Sequence, residues 1–146
     1  MELAFTGPAA GGTAKIDNVV LWELPENTAF ISGAAISATT PLKIGGSTCP
    51  CSITIPSGTS LKNMFLVDTD TFTSPNIDNE HNWAVAVYFD PTQPTGLAVA
   101  QSSGGGQGHS GGMQGGFTSG DKTGNTTLPF GADTQERIFL VTGIEF

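Results

Sequence analysis

The chain has 146 residues, with 13 acidic against 5 basic side chains, a net charge of −8, 38% hydrophobic and only 12% charged residues. That length suits one domain that buries roughly 70% of its unfolded surface, enough for a core without disulfides or metal. The acidic balance disfavours nucleic acid as a partner, the lack of any apolar run of about 18 residues excludes a helical membrane span, and low charge with abundant Gly and Thr argues against a disordered chain.

Residues 1–14, MELAFTGPAAGGTA, read as a flexible arm. Gly7-Pro8 and Gly11-Gly12 interrupt any regular pattern, and Leu3 and Phe5 are the only side chains suited to anchoring it. The stretch opens with an acid rather than a basic n-region and has no apolar h-region, so no secretion signal is expected. Synthesis in a reducing host cytoplasm follows. Under those conditions Cys49 and Cys51, which flank Pro50, are expected as free thiols, since a disulfide between them would close a very small ring.

Residues 15–146 are expected to form one β domain. Strand patterns recur over 18–24, 29–37, 42–44, 52–55, 63–67, 83–89, 96–100 and 137–146, and helical periodicity is absent. Turn residues fall between them at Pro25-Glu26-Asn27, Gly45-Gly46, Pro56-Ser57-Gly58 and from Pro91 to Gly96. In the run 83–89, Trp83, Val85, Val87 and Phe89 share one face, while Ala84, Ala86 and Tyr88 share the other. Such a strand belongs in the middle of a sheet, its bulky face on the core and its small face under a loop or another subunit. About eight such strands predict an all-β fold: a single compact β-sandwich, jelly roll or partly closed barrel.

Residues 102–124 are expected to form one long exposed loop. The run QSSGGGQGHSGGMQGGFTSGDKTG carries half of the 20 glycines, and Met113 and Phe117 are its only sizeable apolar side chains. Little burial is available there to offset an ordering cost of about 1–2 kcal/mol per residue. The final apolar run, ending at Phe146, suits either a strand paired inside the sheet or a contact between subunits.

No set of residues converges on catalysis. Gly108-His109-Ser110-Gly111-Gly112 matches the G-x-S-x-G string of serine hydrolases but lacks the strand before it and the helix after it. Ser110 is therefore expected to be inert and the protein not an enzyme. Asp68 and Asp70 open like a calcium loop, but Phe72 and Thr73 stand where a ligand and the turn glycine belong. A looser cation site from Asp68, Asp70, Asp78, Glu80 and His81 competes with a solvated loop, and the loop is the preferred reading. Cys49, Cys51, His81 and His109 lack zinc spacing. No catalytic residue, cofactor or metal is assigned.

The segments AFTGPAAGG and RIFLVTGIEF, in an acidic chain with one compact β domain, resemble bacteriophage capsid decoration (cement) proteins. The resemblance lies in overall character rather than in a motif. It implies a virion location, an all-β and often trimeric protein, and the major capsid protein or another virion protein as partner, without nucleic acid or membrane. No functional residue transfers from it; the partner-binding candidates, read from the apolar side chains themselves, are Leu3 and Phe5 in the arm, Met113 and Phe117 in the glycine tract, and the terminal Phe146. Two alternatives stand beside it. One is a tail or fibre component, an adhesin whose glycine-rich loop recognises the host; the other is a small β-fold carbohydrate-binding module.

Overall fold

The longest strand organises the molecule. A computed structural model describes residues 1–6, 11–29, 31–59, 63–73, 81–89, 98–99, 101–102, 120–129, 138–139 and 141–143. These residues form twelve short strands and no helix: β1 (Glu2–Thr6), β2 (Gly12–Glu23), β3 (Ala38–Pro41), β4 (Lys43–Ile44), β5 (Ser47–Thr48), β6 (Cys51–Ile55), β7 (Phe65–Asp68), β8 (Trp83–Phe89), β9 (Ala98–Val99), β10 (Gln101–Ser102), β11 (Ile138–Phe139) and β12 (Val141–Gly143). Several are separated by only one or two residues, so they amount to about eight strand runs. The fold is all-β, and none of its sheets closes into a barrel.

β2 pairs antiparallel with β3 through residues 20–23 and with β6 through residues 12–16 along one edge, and with β8 along the other. Its register against β8 slips between Ile16 and Asn18, which inserts Asp17 as a bulge. An extra residue reverses the in–out alternation. Ala14 and Ile16 therefore share a core with Val19 and Leu21, on opposite sides of the bulge. Beyond the bulge the other face of β2, carrying Val20 and Trp22 followed by Leu24, becomes apolar and builds a second core.

The second sheet is centred on β1. One edge of β1 pairs with β7, and the other with β12 and β9. Leu3 and Phe5 have no exposed surface and join Ile16, Val19, Leu21, Leu42, Ile53 and Ile55 in the main core. Residues 2–6 are thus a central strand, not part of a flexible arm. The Gly and Pro breaks that give residues 1–14 an arm-like composition, Gly7-Pro8 and Gly11-Gly12, all follow this strand. Alternation of Leu3 and Phe5 with Glu2, Ala4 and Thr6 is the period-2 pattern of a half-buried strand, and burying the two side chains stabilises it by about 1.5–3 kcal/mol each.

Two further expectations change, and the expected turn at Gly45-Gly46 closes a hairpin. Residues 29 and 31–37 are not in a strand: Ala34 N–H bonds Ile31 C=O at 3.1 Å, and Gly33 turns through a φ of 83°. Among the described residues its one β-bridge joins Ala35 to Thr127. β5 closes on β4 as a two-residue hairpin, with Gly45 and Gly46 at φ of 62° and 86°, the positive values such a turn requires. Cys49 and Cys51 are joined as a disulfide rather than free, their Cα atoms 4.5 Å apart, within the range a disulfide spans.

The expected strand 83–89 appears with those bounds as β8. Trp83, Val85, Val87 and Phe89 pack on the main core, and Ala84 and Ala86 lie in the second core with Leu128, Ala34 and Ile36. On its small face, Ala84 and Ala86 are covered by the chain's own loops.

Gly11 joins the two sheets at a backbone φ of 83°, and a Cβ there would stand 2.9 Å from Ile55 O and 3.0 Å from Ser57 N. Gly11→Ala is expected to lower stability by about 1–3 kcal/mol, read as a fall in the urea midpoint. An unchanged midpoint would show that the 55–57 backbone yields without cost.

Candidate functional site

Two of the ionisable side chains that the structure describes, Asp121 and Asp70, hold loops. Asp121 accepts hydrogen bonds from Thr123 N–H (2.8 Å) and Thr123 Oγ1 (2.6 Å) on one carboxylate oxygen. Buried Thr123 in turn accepts from Asn18 Nδ2 at 2.9 Å on its hydroxyl and from Trp22 Nε1 at 3.3 Å on its carbonyl. Leu128 N–H bonds Ala34 C=O and Gly33 N–H bonds Leu128 C=O, both at 2.9 Å, and Leu128 fills the second core. The chain on the C-terminal side of the glycine tract is thereby clasped to β2. On the tract's N-terminal side, Gln101 and Ser102 of β10 pair with Phe139 and Ile138 of β11. Each end of the tract thus has a hydrogen-bonded or strand-paired partner elsewhere in the chain.

A second clamp holds the β4–β5 hairpin. Asp70 accepts from Gly45 N–H at 3.1 Å and Gly46 N–H at 2.6 Å, one on each carboxylate oxygen, while its own N–H bonds Lys43 C=O at 2.8 Å. Asp70→Ala is expected to speed amide exchange at Gly45 and Gly46 by about tenfold with little change in melting, because the clamp acts on an exposed turn. Unchanged exchange there would show that the turn is held by its own geometry.

The third grouping is Glu23, buried to 4% exposure at the end of β2. Its Oε1 lies 3.9 Å from His81 Nε2, an ion pair when the imidazole is protonated, and the His81 ring lies 6.5 Å from that of Trp83. The sequence signal for it was a lone carboxylate closing the apolar run NVVLWE. The Asp70 clamp spans 25 residues and left no local signal.

The expected site residues are not brought together. Leu3 and Phe5 are inside the core, so neither is available to a partner in this fold; here the structure corrects the sequence reading. Met113, Phe117 and Phe146 lie outside the described residues, as do Ser110, His109, Asp78 and Glu80. Asp68 is exposed, Asp70 is engaged with the hairpin, and His81 faces Glu23 rather than the two aspartates. Cys49 and Cys51 are bonded to each other, which removes both thiolates from any metal site. Among the described residues no three His, Cys, Asp or Glu side chains gather as metal ligands.

Large apolar side chains reach the surface at Ile31 (62% exposed), Met64 (39%) and Leu66 (47%). The last two stand together, in β7 and one residue ahead of it. Comparisons with protein-family models, with curated proteins and with solved structures found no match. The fold and these clamps define a class only: an all-β scaffold whose polar side chains fix its loops.

Proposed function

We propose that this chain is a structural virion protein, not an enzyme, which decorates and stabilises a phage capsid by binding the major capsid protein. The two four-stranded sheets share one core, which supports a sandwich or jelly-roll arrangement as the finer description of the fold. The observation that carries the reading is that Asp70 and Asp121 bind the chain's own backbone and hold its turns. Rigid loops on a β framework suit a protein that presents surface to a lattice. A homotrimer follows from the resemblance and from the apolar run ending at Phe146, while Ala84 and Ala86 on the small face of β8 pack with Leu128 of the same chain.

Purified chain added to capsids lacking it should bind saturably and raise the temperature at which they break open. Release by heat or low salt should reverse that protection. Capsids with the same disruption temperature at full occupancy, or no binding, would overturn the proposal.

The second reading, a tail or fibre adhesin, is favoured by one observation: both ends of the glycine tract are pinned, at β10 and at the Thr123 clasp. It requires the intact chain to bind host cells and a chain with residues 103–119 replaced by a short Gly-Ser turn not to bind. Equal binding by the two would exclude it.

A further inference from the structure

We propose that the open edge of β7 is a docking edge for an extended segment of a partner protein, one carrying an apolar side chain to lie on Leu66 and a lysine or arginine to face Asp68. This goes beyond the decoration reading and does not depend on it.

The pairing of β7 with β1 runs Glu2 to Asp68, Leu3 to Val67, Ala4 to Leu66 and Phe5 to Phe65. Thr69 N–H donates to Met1 C=O at 2.8 Å, so odd-numbered residues here turn their backbone groups toward β1. Antiparallel alternation then turns the N–H and C=O groups of Leu66 and Asp68 away from β1. Asp70, next in that series, is bonded to Lys43 C=O. Among the described residues nothing pairs with the edge at Leu66 or Asp68.

The side chains of the same residues reinforce the edge. Met64 and Leu66 are two of the three exposed large apolar side chains among the described residues. Phe65 and Val67 pack on the main core and hold the strand in place. A fixed strand whose outward backbone groups have no partner among the described residues, and whose outer face is apolar, is a template for strand addition, in which main-chain bonds supply affinity and alternate side chains supply specificity.

Charge selects the occupant. The edge carries the exposed Asp68, with Glu2 opposite it in register on β1, in a chain of net charge −8. A second copy would bring like charges together, and four-residue strands paired edge to edge bury far less than the roughly 1,000 Å² a stable interface needs. A basic extended segment meets the apolar strip and complements the acid beside it.

The test uses the whole chain and the peptide acetyl-Lys-Thr-Val-Thr-Val-Thr-Lys-amide, with amide NMR signals and hydrogen exchange as readout. The peptide is expected to shift the Leu66 and Asp68 signals and slow their exchange by at least about fivefold. Replacing its lysines with glutamates should weaken binding by about tenfold, and Asp68→Asn should weaken binding of the lysine peptide by about threefold. Leu66→Pro should abolish the response, because it removes an outward N–H while the bonds of Phe65 and Val67 to β1 remain. Should Leu66→Pro melt far below the parent, a peptide N-methylated at its valines provides the same test on the intact chain, and it too is expected to give no response. The proposal is overturned by silence at millimolar peptide, by equal binding of the acidic or N-methylated peptide, or by edge protection that rises with protein concentration without peptide, which would assign the edge to a second copy.

Discussion

Deleting residues 2–6 is expected to abolish folding, and Phe5→Ala alone to cost about 3–5 kcal/mol of stability. β1 lies between β7 on one side and β9 and β12 on the other, so its removal leaves backbone groups unpaired on both flanks. It also opens a cavity where two side chains with no exposed surface meet Ile16 and Leu21. Leu3→Ala should cost about 2–5 kcal/mol by the same mechanism. Chemical denaturation followed by circular dichroism reads each value. A deleted chain that kept a cooperative transition at the parent's midpoint would return residues 2–6 to the status of a dispensable arm.

Trp22→Ala is expected to lower stability by about 3–5 kcal/mol, and Trp22→Phe by only about 1–2 kcal/mol. The indole fills the second core with Val20, Leu24, Ala84 and Leu128, and its N–H is a donor to the Thr123 carbonyl. Phenylalanine keeps most of the buried ring and loses the hydrogen bond, so the gap between the two variants measures packing. Both variants should speed exchange at the amide of Leu128, which bonds Ala34 within the clasp. A small loss for the alanine variant, with Leu128 exchange unchanged, would show that the clasp holds without its anchor.

Local sequence pattern located the strands that keep a clean alternation and lie between clear turn residues. Trp83–Phe89 was legible to the residue because four bulky or β-branched side chains alternate with two alanines and a tyrosine. The turns at Asn27, Gly45-Gly46 and Gly58 were legible for the same local reason, and all four residues adopt positive φ. Residues 29–37 misled because Ala, Ile and Ser fit a strand equally well when a turn at Gly33 sends the chain back. The clasp was not legible at all. Asn18 and Trp22 meet Thr123 across more than a hundred residues, and neither partner carries a pattern that names the other.

The sequence by itself determined the all-β class, the two unlike faces of β8 and the chemistry of the short turns, because strand alternation and backbone preference act over a few residues. Only the tertiary structure decided that Leu3 and Phe5 are core and that the small face of β8 is closed by Leu128. It also decided that Asp70 and Asp121 hold loops, and that the outer edge of β7 carries exposed Leu66. Each of these depends on which distant segment lies alongside. Burial and hydrogen bonding are properties of that juxtaposition, and neither is contained in the residue's own neighbours along the chain.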